Sequence, residues 1–294
     1  MTEGAGRGQA ALAALTGAAL IGLSPIAVRL SEVGPHATNF WRFLFALPIL
    51  AVWAGLARPI PSTRQIGLIL IAGVLFGIEI SLWAAALGFT TVTNATLLTN
   101  LTPVFAAIFG WLLFRERLSR PVLAGGAVAL TGAVVLALAR AQSATGPAAD
   151  ASNGWIGDGL GLCAAVGYAG YLLIVRALGR QVSVGAVMFW ATLSAAAVSC
   201  ALSFGLSEAM LPQTLGGWAM LIGLGLVVQI AGQGLIAYGV GRLPIAISTV
   251  LLWMQPLVAA VLSWILFGEA LGALALVGAA LILAGVYTVQ RSRA

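Results

Sequence analysis

One ionisable side chain stands deep inside an apolar run of this sequence. Glu79 lies in the segment FGIEISLW, and Trp83 follows one turn later on the same helical face. A carboxyl placed so in a membrane segment is costly, which makes it a functional candidate. It is suited to contact a substrate amine or to carry a proton; the plain alternative is a neutral carboxyl hydrogen-bonded to a neighbouring helix. Other polar and aromatic groups recur at similar depth. Thr99 and Asn100 fall midway along one run, and Tyr168 and Tyr171 stand three apart in another. Gln229 and Gln233 are four apart and share a face, while Trp253 and Gln255 lie midway along a later run. Each alone serves equally well as interhelical glue. Their shared depth on four helices predicts a polar, aromatic-lined cavity that binds a small molecule.

The prolines add candidate hinges. Pro103 and Pro256 interrupt two apolar runs at equivalent places, and each removes a backbone donor from the carbonyl four residues earlier, at Thr99 and Leu252. Backbone freed at that depth must be buried in protein or face a water-filled path. Pro25 and Pro48 are expected to bend earlier runs in the same way. A simple packing kink is the other reading of all four. Gly73 and Gly77 form a GxxxG, a weak signal in a chain with 37 glycines.

Other chemistries find no support. There is one histidine, no HExxH, no GxSxG, no Walker sequence, and no pair of acidic residues inside an apolar run. Cys163 and Cys200 both lie in apolar runs, so no disulfide, metal site or cofactor is expected. No selectivity-filter segment or ring of charge favours a channel. Neither an enzyme nor a machine driven directly by ATP is expected.

These residues need a scaffold, and the composition supplies one. The chain has 294 residues, 61% of them apolar and 7% charged. Soluble domains carry roughly a quarter charged residues. At about 20 residues per span the length holds roughly ten helices with short loops. We expect an all-α membrane protein with spans near 8–31, 36–57, 65–88, 91–114, 121–139, 156–178, 183–204, 216–240, 243–267 and 271–290. The first run is too long for a signal-peptide core. Residues 141–155 read as a joint between units 1–140 and 156–294. Trp41, Trp155, Trp190 and Trp218 lie near span ends and read as interfacial anchors.

All 14 basic residues are arginine and sit at the ends of apolar runs, a pattern of membrane topology rather than nucleic-acid binding. With the N-terminus inside, eleven fall on the cytoplasmic side and three, Arg29, Arg42 and Arg140, outside. Both termini are therefore expected in the cytoplasm.

A shift of 153 residues aligns the chain with itself. Between Thr96 and Gly132 there are 15 identities in 37 positions, among them Pro103 with Pro256, Trp111 with Trp264, Phe114 with Phe267 and Glu116 with Glu269. Composition supplies matching small residues but not Pro, Trp, Phe and Glu in register. Five spans per copy is odd, so the second copy is expected upside down, as in transporters whose halves rock about a site near the bilayer midplane.

The stretches NATLLTNLTPVFAAIFGWLLFRERLSRPVLAGGAVALTGAVVLAL and ISTVLLWMQPLVAAVLSWILFGEALGALALVGAALILAGVYTV resemble the signature of EamA-type members of the drug/metabolite transporter superfamily. The shared pattern is a mid-helix Pro, a Glu and then a Gly-rich helix. Arg29 and Arg42 also match basic residues common in that family. Among its members the chain looks most similar to YddG-type amino-acid exporters. The resemblance implies a bacterial inner-membrane, monomeric exporter of amino acids, aromatic ones included, working in the lipid bilayer. Export of drugs, nucleosides or other metabolites, and a channel-like facilitator, are the alternatives.

Overall fold

The computed structural model describes residues 2–86, 89, 98–99, 101–115, 119–143, 154–179, 181–267 and 272–291. Helices make up nearly all of them, and no strand occurs among the described residues. In chain order they are α1 (Thr2–Ile21), α2 (Ser24–Arg29), α3 (Pro35–Leu56), α4 (Thr63–Ala86), α5 (Thr102–Phe114), α6 (Arg120–Ser143), α7 (Gly154–Leu178) and α8 (Val184–Gly205). A rod follows: α9 (Leu215–Gly223), a wider stretch with i→i+5 turns (Leu224–Gln233), and α10 (Gly234–Val240). The last three are α11 (Ile245–Leu251), α12 (Met254–Phe267) and α13 (Ala273–Arg291).

Among the described residues, six segments are long and apolar enough to cross a membrane: Gly6–Val28, Pro35–Leu56, Thr63–Ala86, Trp155–Leu178, Val184–Gly205 and Leu215–Val240. Four shorter apolar helices accompany them: Thr102–Phe114, Arg120–Val135, Ile247–Ala259 and Leu276–Thr288. The outward faces carry Ile49, Val52, Ile71, Leu113, Ile265 and Leu276, all exposed, as a surface in contact with lipid requires.

Among the described residues, two expected spans are broken rather than continuous. The first stops at Gly22–Leu23 and restarts at Ser24, with Pro25 in the first turn of α2, where its missing N–H costs nothing. The second break falls at Leu252–Trp253, three residues before Pro256. Pro256 cannot donate to Leu252 O, which instead accepts from Gln255 N at 3.0 Å, so the chain tightens there. The carbonyl of Thr99, left without a donor by Pro103, accepts from the Thr102 hydroxyl at 2.8 Å. Pro48 stays inside an unbroken α3. The two breaks are neighbours, since a side chain at Gly22 would lie 2.9 Å from Gln255 O and 2.8 Å from Val258 Cβ.

Close backbone approach fixes the packing. α1 lies on the rod where a side chain at Gly17 would meet Gly232 O at 2.6 Å. α3 packs on α8, α4 on α7 and α8, α5 on α7 and α11, and α6 on α13. In the last pair, a Cβ at Gly132 would press on Gly278 O (2.7 Å) and Ile282 N (2.6 Å). One at Gly285 would press on Gly125 O and Ala129 N, both at 2.5 Å. The later residue of one helix thus meets the earlier residue of the other, so α6 and α13 run antiparallel. Small residues drive such contacts because apolar helices in lipid gain little from hydrophobic burial against one another.

At one end of the bundle the 30–37 and 206–214 segments are tied together. Gly34 N donates to Ala209 O at 3.1 Å. The Glu208 carboxylate meets His36 Nδ1 at 2.7 Å and accepts from Ala37 N at 2.8 Å. Trp41 Nε1 donates to Met210 O at 2.6 Å, and the Trp41 ring packs edge-on against Trp218. Glu32 accepts from Gln213 N (2.8 Å), Thr214 N (3.0 Å) and the Thr214 hydroxyl. These bonds, the hydroxyl's foremost, hold the Glu32 carboxyl below its ordinary value.

Substituting Gly285→Leu is expected to lower the thermal midpoint of the purified protein, with an overpacking cost of about 1–3 kcal/mol. Gly159→Ala, where a Cβ meets nothing within 4 Å, is expected to leave it level or raised; equal effects of the two would contradict the packing. The Glu32 tie carries a pH signature. Its pKa is lowered on folding, so its contribution is fully present above about pH 4.5 and is lost as pH falls through the lowered value. At neutral pH, Glu32→Gln is expected to speed amide exchange at Gln213 and Thr214; unchanged exchange would count against the tie.

Candidate functional site

Within the apolar bundle seven elements, α12 with Gln255 among them, bring polar or aromatic side chains together. α3 supplies Arg42 and Phe43, α4 supplies Phe76 and Glu79 three residues apart on one face, and α7 supplies Tyr168 and Tyr171. α8 adds Thr192, the rod adds Gln229 and Gln233, and α2 adds Ser24. Glycines let the helices converge here. A Cβ at Gly225 would stand 3.0 Å from Arg42 O, and one at Gly167 would stand 3.4 Å from Glu79 Cβ.

Arg42 is only 2% exposed. Its Nε donates to Gln229 Oε1 at 3.1 Å, and an Nη1 contact reaches Ser24 Oγ at 3.4 Å. Gln229 in turn donates from Nε2 to Thr192 Oγ1 at 2.8 Å. Four helical elements are thus bonded through one guanidinium. The Arg42 head lies 5.5 Å from the centre of the Phe43 ring. Beyond it runs an aromatic stack: Phe43–Phe76 at 5.8 Å, Phe76–Tyr171 at 5.1 Å and Tyr168–Tyr171 at 5.9 Å. Gln233 Nε2 donates to the Tyr171 hydroxyl at 3.1 Å.

Glu79 is 8% exposed, and among the described residues its carboxyl makes no hydrogen bond or salt bridge. The charge acting on it is Arg42. At this locus Gln233 Oε1 and Gln255 Nε2 are also buried without a hydrogen-bond partner among the described residues, and both side chains lie beside the Tyr168 hydroxyl. A guanidinium, a carboxyl, unfilled amide groups and stacked rings therefore share one buried locus.

The sequence candidates divide accordingly. Glu79, Tyr168, Tyr171, Gln229, Gln233 and Gln255 come together. Trp83 is half-buried, one turn beyond Glu79, with no ring contact among the described residues. Thr99 is half-buried, and its carbonyl is taken by Thr102. Trp253 lies elsewhere, in an apolar cluster with Ala14, Val122, Ala129, Leu251 and Ile282. There it lines an apolar cleft of about 500 Å³ together with Pro103 and Trp111. Asn100 lies outside the described residues. Arg42 was counted from sequence as an outer loop charge; that is corrected here, because it is the eighth residue of α3 and faces the interior. Its distance from the helix start, about two turns, was the signal available. Thr192, Ser24 and Phe76 carried no comparable mark.

The profile of the EamA-like transporter family matches residues 8–138 and again 155–291. The chain belongs to the EamA-like transporter family. Family membership and the apolar helices make it a membrane transporter rather than an enzyme. It is 30% identical over 273 residues to a protein of Streptantibioticus cattleyicolor named probable terminal-alkyne amino-acid exporter, covering 90% of this chain and 87% of that one. It is 23% identical over 232 residues to the pseudopaline exporter of Pseudomonas aeruginosa, covering 79% and 78%. A solved crystal structure, 23% identical, superposes with a TM-score of 0.78 over 96% of this chain and 97% of the other, which supports the fold alone.

Gln229→Leu removes the acceptor for a buried guanidinium N–H. It is expected to destabilise the protein by on the order of 1–2 kcal/mol, seen as a lower thermal midpoint in detergent. Gln229→Glu, which keeps an acceptor, is expected to retain stability. Equal midpoints for Gln229→Leu and the parent protein would show that Arg42 is not held as described.

Proposed function

We propose that this transporter exports amino acids, aromatic ones included, by alternating access around the Arg42–Glu79 locus. The observation that carries the reading is a buried arginine and a buried glutamate beside a stack of aromatic rings, drawn from both ends of the chain within an apolar bundle. A zwitterion with an aromatic side chain matches that chemistry. The Streptantibioticus relative's name points the same way. The Pseudomonas relative's name favours a second reading, export of another small metabolite.

In this proposal ten spans form two inverted units, 1–140 and 156–294, joined by 141–155, in a bacterial inner membrane. Several observations support it. The family profile fits each unit once. The expected spans pair as first with eighth, third with sixth, second with seventh, fourth with ninth and fifth with tenth, a set that maps onto itself when the units are exchanged. The antiparallel contacts Gly132–Gly278 and Gly285–Gly125 are exchanged by the same 153-residue shift. With Arg42 removed from the loop charges, eleven arginines stand against two, favouring cytoplasmic termini.

Substrate enters from the cytoplasm and leaves outward as the units rock. Glu79 takes the ammonium or carries a proton; Gln229, Gln233, Gln255 and Asn100 offer amides; Trp83, Tyr168 and Tyr171 pack on the side chain, near Thr99. The breaks near Pro25 and Pro256, with Pro48 and Pro103, let the helices flex. The protein works as a monomer.

Counterflow of labelled amino acids in proteoliposomes tests this. Glu79→Gln and Gln233→Ala are each expected to reduce flux by about tenfold or more, the loss of one good polar contact. If both variants carry amino acids at the parent rate, the site lies elsewhere.

A further inference from the structure

Arg42 has donors to spare. A guanidinium offers five N–H groups in a rigid fork suited to grip a carboxylate at two points. Nε is engaged by Gln229, and Nη1 makes only a long contact with Ser24. Among the described residues Nη2 makes no hydrogen bond, nor is it one of the polar atoms sealed off without a partner. The interactions that hold Arg42 therefore orient its fork without filling it. Gln229 is itself fixed by Thr192, so the orientation is set by a chain of bonds rather than by one flexible side chain.

The natural counter-ion, Glu79, does not close the fork. The two side chains feel each other's charge but form no salt bridge. A structural arginine inside an apolar bundle is normally paired and fully hydrogen-bonded, because an uncompensated charge there is costly. Here Arg42 and Glu79 share one buried locus unpaired, beside the ring stack that runs from Phe43 through Phe76 to Tyr171.

We propose that Arg42 is the anchor for the substrate carboxylate, and that solutes accepted at this locus carry a carboxylate next to a cationic amine. This rests on the reading of the chain as an amino-acid exporter and narrows it. The carboxylate closes the Arg42 fork and the ammonium meets Glu79. The loaded site is then neutral as a whole, which suits a cargo that must pass through lipid. An amine alone leaves the guanidinium unfilled and buries one net charge more, and an uncharged solute leaves both the guanidinium and the carboxylate without a charged partner.

The test is inhibition of labelled phenylalanine counterflow in proteoliposomes by three analogues with the same ring: phenylalaninamide, phenethylamine and 3-phenylpropanoate. Unlabelled phenylalanine is expected to inhibit about tenfold more strongly than each analogue, the consequence of losing one charge-assisted contact. This series uses the unmodified protein and does not depend on a variant folding. Arg42→Lys, which keeps the charge but not the fork, is expected to shrink the preference for the acid over the amide. Glu79→Gln is expected to leave that preference in place while weakening the demand for the amine. If the amide inhibits as well as the acid, or if folded Arg42→Lys keeps the full preference, the anchor is refuted while amino-acid export stands. If no amino acid exchanges but another metabolite does, export of amino acids and the anchor fall together.

Discussion

A guanidinium inside an apolar bundle constrains everything around it. Placing such a group at the centre of a membrane helix costs about 3 kcal/mol on insertion scales. Arg42 cannot be left bare, and three of its neighbours exist in the right place only because other helices bring them there. Gln229 comes from the rod, Thr192 reaches Gln229 from α8, and Ser24 comes from the short helix after the first break. The aromatic stack and Glu79 complete the surroundings. Remove the charge and the polar groups of four elements lose their common purpose.

The rest of the fold explains how helices approach closely enough to serve that charge. Glycines stand wherever backbone meets backbone: Gly17 against Gly232, Gly132 against Gly278, Gly225 against Arg42 itself. Prolines stand wherever a helix gives up a hydrogen bond, and the freed carbonyls find nearby substitutes, Thr99 from the Thr102 hydroxyl and Leu252 from Gln255 N. Breaks in the first and ninth apolar runs sit against one another, so the segments with the fewest internal bonds share one region. At the end of the bundle, Glu32 and Glu208 tie two loops.

Much of this was legible in the sequence. An all-helical membrane chain followed from apolar run lengths, and the family signature from the paired Pro–Glu–Gly patterns. The tyrosines and glutamines at helical spacing, with Glu79, were found because a polar group in an apolar run stands out. Arg42 was missed for a physical reason: near a run's end an arginine reads as a topology charge, and only the helix start at Pro35 shows how deep it lies. Trp253 was drawn in by its depth alone, and depth does not say which way a ring points; it faces the α6–α13 side. The exact break points depend on which carbonyl a proline leaves without a donor and on what lies beside it, which is tertiary information.

The proposed selectivity of this transporter rests on Arg42, oriented by Gln229 and incompletely filled. The most direct measurement is the distance between that guanidinium and bound substrate, by solid-state NMR dipolar recoupling. Phenylalanine labelled with carbon-13 at the carboxyl would be bound to membrane-reconstituted protein carrying nitrogen-15 guanidinium groups. The account predicts strong carbon–nitrogen recoupling at hydrogen-bond range that disappears in Arg42→Lys. Saturable binding of phenylalanine with no such recoupling, or with recoupling that survives the substitution, would contradict it.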